Sequence, residues 1–295
     1  MSKFRFLFIL LALSNSVATF AQQACDSLAF VNAKWDVKQV ADGIILKQFH
    51  FTGENKIFDS HQYVSIVEID TKKADGRFAL ANDEGKITQT SKFAKDSAAI
   101  VASNGTFYNM SEPYNCVCYF RKNGKEAYAF TEKMMQRDNG AILISEKGEI
   151  SIVPADPENP GNIMPQDWAV KFEEPSVMTS GPVLMIDGKD ARLDENSFNC
   201  NRHPRTAIAT KEDKVYLIAV DGRAKDYANG VSLWEFTAMM HYLSVEDALN
   251  PDGGGSTTLY VAGEPDNGIV NHPSDNDVFD RAGERFIVNS LLFIP

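Results

Sequence analysis

Short apolar runs of strand length, broken by glycine and charged turns, constrain this chain more than any other feature. Ile44-Ile45-Leu46, Tyr63-Val64-Ser65-Ile66-Val67-Glu68-Ile69 and Phe78-Ala79-Leu80 open the series. It continues through Ala98-Ala99-Ile100-Val101-Ala102, Ala141-Ile142-Leu143-Ile144, Ile150-Ser151-Ile152, Val183-Leu184-Met185-Ile186 and Val215-Tyr216-Leu217-Ile218-Ala219-Val220. Runs this short and this rich in β-branched residues read as strands. One helix stands out against them. Ser232-Leu233-Trp234-Glu235 has capping-box spacing, Val231 and Phe236 suit a hydrophobic staple, and Leu233, Phe236, Met240 and Leu243 recur on one face. The expectation is an α+β fold: a single domain with extensive, mostly antiparallel β-sheet and a few helices, the best at about Ser232 to Leu243. Pro154, Pro157, Pro160 and Pro165 interrupt the pattern between Val153 and Glu174. The strands resume unchanged afterwards, so this stretch reads as a surface insertion.

Residues 1–21 carry Lys3 and Arg5, then the apolar run Phe6 to Leu13, then small and polar residues up to Ala21. That is the layout of a secretory signal peptide, too short in its apolar part to span a bilayer. Cleavage after Ala21 leaves a lead segment, 22–41, ahead of a domain at 42–295. A lipid anchor on Cys25 is the rival reading, but Gln22-Gln23-Ala24 lacks the aliphatic residue such a site prefers. The expected location is outside the cytoplasm, periplasmic or extracellular, with no membrane span.

Loss of the leader moves the net charge from -11 to about -13. Such acidity repels phosphate polymers and makes nucleic acid an unfavourable partner. An anionic substrate must therefore be met by a local group of arginines. The cysteines at 25, 116, 118 and 200 allow three full pairings. A bridge between Cys116 and Cys118 would be strained, so the expected bridge joins one of them to Cys200, with unpaired buried thiols as the alternative. No His or Cys cluster has zinc-ligand spacing, and no feature specifies an oligomer.

Polar residues at the ends of apolar strands are the candidates for chemistry. Asn250-Pro251-Asp252-Gly253-Gly254-Gly255-Ser256-Thr257-Thr258 combines a carboxylate, three glycines and a hydroxyl run. Its glycines suit a backbone that approaches a ligand closely, and its N–H groups suit an anion. It lacks the Gly-Lys-Ser/Thr ending of a Walker loop. Asn201-Arg202-His203-Pro204-Arg205-Thr206 places two guanidinium forks around a proline, a natural phosphate or carboxylate clamp. His203 is a candidate proton carrier near neutral pH. Asp221-Gly222-Arg223 follows a long strand, where a carboxylate orients or attacks substrate as readily as it closes a turn. Asn104-Gly105-Thr106-Phe107 and Thr179-Ser180-Gly181-Pro182 are strand-end turns with hydrogen-bonding side chains. Ser180 lacks the surroundings of a nucleophile elbow. Glu235 is a third carboxylate candidate, in competition with its capping role.

Taken together these segments resemble the phosphodiester glycosidase family. The resemblance lies in Asn104-Gly105-Thr106-Phe107, Ser180-Gly181-Pro182 with Asp187-Gly188-Lys189, and His203-Pro204-Arg205-Thr206-Ala207. It extends through Asp221-Gly222-Arg223, Gly230 and the helix after it, Asp247-Ala248-Leu249-Asn250, the Asp252 loop, and Glu284-Arg285 with Val288-Asn289. The match runs in order from about Asp42 to Pro295. Pro251 departs from an apolar residue, and Ser244 from a glycine, at positions of the family pattern. The resemblance implies hydrolysis of a sugar 1-phosphodiester at the glycosidic bond, releasing the sugar and leaving a phosphomonoester. Phosphate is a good leaving group, so arginines that stabilise its charge largely replace a general acid, while an oxocarbenium-like transition state still wants a carboxylate. Asp221 and Asp252, then Glu235, are the catalytic candidates. Arg205, then Arg202 and Arg223, are the phosphate candidates. Asn104, Ser180, Gly181, His203, Thr206, Gly253, Gly254, Ser256 and Thr257 complete the expected substrate contacts. No cofactor is required by this chemistry. Two alternatives remain: a phosphodiesterase that breaks P–O with a divalent metal held by Asp221 and Asp252, and a non-catalytic glycan-binding or polysaccharide-assembly protein.

Overall fold

The computed structural model describes residue 22 and residues 24–83, 85–128, 137–165 and 167–295. The leader, 1–21, lies outside the described residues. In chain order the strands are β1 (Asp36–Ala41), β2 (Ile44–Phe51), β3 (Gln62–Asp70), β4 (Arg77–Asn82), β5 (Val101–Asn104), β6 (Phe120–Lys122), β7 (Lys125–Tyr128), β8 (Gly140–Ile144) and β9 (Ile150–Pro154). They continue as β10 (Ser176–Ser180), β11 (Val183–Ile186), β12 (Lys189–Asp190), β13 (Arg205–Lys211), β14 (Lys214–Val220), β15 (Asp247–Leu249), β16 (Leu259–Val261) and β17 (Asn289–Ile294). Helices are α1 (residues 24–31), α2 (Thr90–Asp96), α3 (Ser197–Cys200) and α4 (Leu233–Leu243).

Three sheets result, of order β1-β2-β3-β14-β13-β15-β11-β12, β7-β6-β10-β8-β9 and β16-β5-β17-β4. Their neighbours pair antiparallel, as in β13 on β14 from Arg205↔Val220 to Lys211↔Lys214. The expected α+β class, with mostly antiparallel sheet and a few helices, is the observed one. The lead segment is no appendage, since β1 forms the outer edge of the largest sheet through its pairing with β2.

The period-two alternation of β14 explains how the layers form. Val215, Leu217 and Ala219 enter one buried cluster, and Tyr216, Ile218 and Val220 enter another. In β3, Val67 and Ile69 take the first side and Val64 and Ile66 the second. The central sheet is therefore apolar on both faces. On the second face sit Phe30 of α1 and Leu233, Phe236, Met239 and Met240 of α4. On the first face the two smaller sheets contribute Phe78, Leu80, Val101, Leu291 and Phe293, and Ile142, Ile144 and Met178. Full burial of a side chain such as Phe236 contributes about 1.5–3 kcal/mol.

Helix α4 starts where its capping box predicts. Ser232 accepts from the Glu235 N–H, and Glu235 accepts from the Ser232 N–H at 2.8 Å. It ends at Ser244 in a left-handed conformation, φ 54. That backbone explains why a glycine suits the position. The expected disulfide to Cys200 does not form, and all four cysteines are free thiols. Cys116 and Cys118 are buried in the core while Cys200 is exposed on α3, so the thiols face different surroundings.

The three sheets are joined at strand ends. Gly105 donates its N–H to the Asn289 carbonyl at 3.1 Å, and Thr106 donates to the Asn289 side-chain oxygen at 2.8 Å. A Cβ on Gly105 would be driven into that same Asn289 amide. Gly105→Ala is expected to destabilise the protein by about 1–3 kcal/mol, checked by denaturant unfolding; an unchanged midpoint would show that the junction yields freely.

Candidate active site

One end of each sheet contributes to a single locality. Asn104 closes β5, Ser180 closes β10, Arg205 opens β13, and Asp221 follows β14. Asn104 is fully buried, and its amide is saturated by the protein. Its nitrogen donates to the Asp252 carbonyl at 2.7 Å, and its oxygen accepts from the Thr206 hydroxyl at 2.8 Å and the Thr258 N–H at 3.1 Å. The Asp252 N–H in turn donates to the Gly105 carbonyl at 3.1 Å. Asn104 and Thr206 thus fix the loop that carries Asp252. Ser180 plays a similar part, accepting from the Thr106 hydroxyl at 2.9 Å, and a Cβ on Gly181 would lie 2.6 Å from the Asn139 amide oxygen.

The glycines of the loop face arginines and backbone. A Cβ on Gly253 would sit 2.8 Å from the Pro204 carbonyl and 3.7 Å from Arg205, and one on Gly254 would sit 2.8 Å from Nη2 of Arg223. One on Gly255 would collide with the Arg285 guanidinium. Gly254 also requires φ 62, and donates its N–H to the Pro204 carbonyl at 2.8 Å. Close approach thus accounts for the triplet. Pro251 is buried with its carbonyl accepting from Asn250 at 2.9 Å, so the proline is accommodated within the loop. The Thr257 hydroxyl and the Asn250 side-chain oxygen are buried without a hydrogen-bond partner among the described residues.

Asp252 is half-buried at this point. Desolvation raises its pKa, opposed by the Ser256 hydroxyl, the Gly253 N–H at 2.9 Å, and the charges of Arg285 and Arg137. Arg205 is only 1% exposed and has no carboxylate partner among the described residues. Its Nε donates to the Val231 carbonyl at 3.2 Å and its Nη2 to the carbonyls of Phe198 and Asn201. Burial and the nearby Arg137 push its pKa down to about 9. Arg223, exposed and left-handed at φ 63, and Arg137, whose guanidinium lies 3.8 Å from the Phe198 ring centroid, also lack an ion pair among the described residues. Burial and the charges of Arg205, Arg223 and Arg137 lower the pKa of His203, which favours a neutral imidazole.

Two other carboxylate candidates are occupied elsewhere. Glu235 takes both carboxylate oxygens to the Arg202 Nε at 3.0 Å while capping α4, and Arg202 also donates to the Phe58 carbonyl at 2.6 Å. The structure places both residues in the scaffold: a helix start and a guanidinium satisfy each other here. Asp221 is 1% exposed. It accepts from the Asn271 amide at 3.0 Å, the His272 N–H at 3.0 Å and His272 Nδ1 at 2.8 Å. Asn271 also donates to the Thr257 carbonyl at 3.0 Å, so Asp221 braces the glycine loop from behind. A metal shared by Asp221 and Asp252 would compete with these bonds, and no group of three His, Cys, Asp or Glu side chains gathers as a metal site among the described residues.

Several residues at the site went unselected in the sequence. Arg285, paired with Asp275 through Nε at 2.8 Å, touches the loop beside Gly255. Tyr108 donates to the Phe286 carbonyl at 2.7 Å, and burial together with Asp252 pushes its hydroxyl up to about 12. Tyr108 follows the Asn104 turn, and Arg285 belongs to the Glu284-Arg285 pair of the family resemblance without having been selected as a site residue. Arg137 and Phe198 adjoin no visible motif. Only the tertiary structure brings them in.

The junction of three sheets thus gathers one carboxylate without a charged hydrogen-bond partner and three arginines without an ion pair among the described residues, a grouping of enzyme type. Residues 97–294 match the phosphodiester glycosidase family, and the chain belongs to it. The bovine N-acetylglucosamine-1-phosphodiester alpha-N-acetylglucosaminidase is 24% identical over 197 residues, 62% of this chain and 34% of that protein. The chain therefore spans about a third of the length of the curated relative it matches. The zebrafish N-acetylglucosamine-1-phosphodiester alpha-N-acetylglucosaminidase catalytic domain, auto-inhibited by its pro-peptide, superposes with a TM-score of 0.60 at 19% identity, covering 88% of this chain and 84% of that one. A hypothetical protein from Synechocystis gives 0.59 at 15% identity, over 86% and 62%. These structural likenesses show the shared fold.

Beside the cleft, Asp138 has one carboxylate oxygen buried without a partner, and burial raises its pKa to about 7, against the Thr179 hydroxyl. The folded pKa lies above the unfolded value of about 3.9. The unfolded state therefore binds fewer protons between pH about 4 and about 7, and stability falls as pH rises through that window, by up to about 4 kcal/mol. Asp138→Asn is expected to flatten this decline, read as a smaller difference in melting temperature between pH 5 and pH 8; an unchanged pH dependence would remove Asp138 as its source.

Proposed function

We propose that this chain is an exported hydrolase that cleaves the glycosidic bond of a sugar 1-phosphodiester, releasing the sugar and leaving a phosphomonoester. One observation carries the reading: Arg205 is buried without a counter-ion beside the loop of Asp252. A buried guanidinium without an anion is costly, and a phosphate reaching Nη1, the nitrogen not committed to the carbonyls of Val231, Phe198 and Asn201, supplies the missing charge. Of the three carboxylates considered, Asp252 alone has no guanidinium or imidazole hydrogen-bonded to it among the described residues, so it takes the position at the anomeric carbon. The C1–O bond breaks with its electron pair leaving on the phosphate, and water supplies the new hydroxyl at C1. Arg205 and Arg223 stabilise the charge that develops on the departing oxygen. Asp252 receives the proton of the attacking water, or attacks C1 itself and is released by water. Asn104, Thr206 and Asp221 hold the loop that aims it.

The family and the name of the bovine relative support a glycosidic rather than P–O scission, with N-acetylglucosamine as the first sugar to assay. The leader-like residues 1–21 support export, and no helix among the described residues is long and apolar enough to cross a membrane. Hydrolysis of N-acetylglucosamine 1-phosphate methyl ester in oxygen-18 water is expected to place the label in the sugar, and Asp252→Asn to lower kcat by at least about 100-fold with the protein still folded. Label in the phosphate would overturn the reading.

A further inference from the structure

The Asp221 carboxylate is sealed inside the protein, and among the described residues no guanidinium or ammonium is bonded to it. One residue holds its Oδ2 twice: the His272 N–H donates at 3.0 Å, and the His272 ring meets the same oxygen through Nδ1 at 2.8 Å. A carboxylate only accepts, so Nδ1 carries the proton and the ring tautomer is set. Neighbouring rings fix its plane. Phe279 stacks on it at 4.0 Å between centroids and 16° between planes, and Tyr63 meets it edge-on at 4.6 Å and 85°.

The second carboxylate oxygen leads to the glycine loop. Oδ1 of Asp221 accepts from Nδ2 of Asn271 at 3.0 Å, and that nitrogen also donates to the Thr257 carbonyl at 3.0 Å. Oδ1 of Asn271 accepts from the Leu259 N–H at 2.8 Å. A continuous path of hydrogen bonds therefore runs from the imidazole through Asp221 and Asn271 to the far limb of the loop that carries Asp252. Asn104 supports the near limb at the Asp252 carbonyl. Without the imidazole donor, Asp221 would keep a buried lone pair unsatisfied and pull on Asn271 to compensate, at the expense of the bonds to Thr257 and Leu259.

Resting on the glycosidase reading above, we propose that His272 is a positioning residue of the reaction: its Nδ1–H, acting through Asp221 and Asn271, fixes the Thr257 to Leu259 limb and thereby the aim of Asp252. No chemical step passes through the imidazole.

Two variants separate the donor from the ring. His272→Phe keeps a ring against Phe279 and Tyr63 but has no donor. His272→Asn gives up the ring but carries its amide nitrogen on Cγ, where Nδ1 stood. On N-acetylglucosamine 1-phosphate methyl ester, His272→Phe is expected to lower kcat about 10–100-fold with KM changed less than about 3-fold, and His272→Asn to return kcat to within about 5-fold of the wild type. A loss carried by KM alone, or His272→Asn no better than His272→Phe, would overturn the proposal. Amide hydrogen exchange reads the path without turnover. The Leu259 N–H is expected to exchange at least about 10-fold faster in His272→Phe than in the wild type or His272→Asn. Should the wild type hydrolyse no such ester, the glycosidase reading fails by itself; equal Leu259 protection in all three proteins would overturn the path from His272.

Discussion

The side-chain amide of Asn104 holds the architecture of this site together. It leaves the four-stranded sheet, donates to the backbone of Asp252, and accepts from Thr206 on the eight-stranded sheet and from the chain at Thr258. Inside a low-dielectric junction each of these bonds is stronger than in water and expensive to leave unmade. A neighbouring bond from Thr106 to Ser180 ties in the five-stranded sheet. Asp252 is held by this network through its backbone, and its neighbours on the loop itself are glycines.

Electrostatics divides the molecule in two. The chain carries 40 acidic residues against 29 Lys and Arg, so a surface guanidinium has no shortage of partners. Arg202, Arg192 and Arg285 each found one. Arg205, Arg137 and Arg223 did not, and what surrounds them instead is carbonyl oxygen, aromatic ring and glycine backbone. Withholding carboxylates from these three in so acidic a chain keeps their charge available to a ligand. The same burial that makes Arg205 easier to deprotonate makes a bound phosphate worth more to it.

The fold was legible because period-two alternation and short run length are local properties. Val215 to Val220 announced a strand buried on both faces, and Ser232 with Glu235 announced the start of α4. The division into three sheets was not legible, since strand pairing such as β5 with β17 joins residues that no local pattern relates. Within the site, residues that stand next to a glycine or proline signal were visible: Asp252, Arg205, Arg223, Asn104. Their bonding was not. Glu235 and Asp221 read as catalytic candidates by residue type, and only the positions of Arg202 and of Asn271 with His272 show them held by the scaffold. Arg137 and Phe198 sit in unremarkable sequence and acquire meaning only across the cleft.

That cleft is built from the ends of three sheets, so it exists only when all three are docked. A ligand resting on Arg205, Gly254 and the Ser180 turn touches residues whose relative positions are set by the whole chain. Its binding free energy adds to global cohesion instead of tightening one loop, because any unfolding that separates the sheets must first release it. With the substrate contacts proposed above, occupancy would couple to longevity: a substrate-rich surrounding would lengthen the life of the folded enzyme.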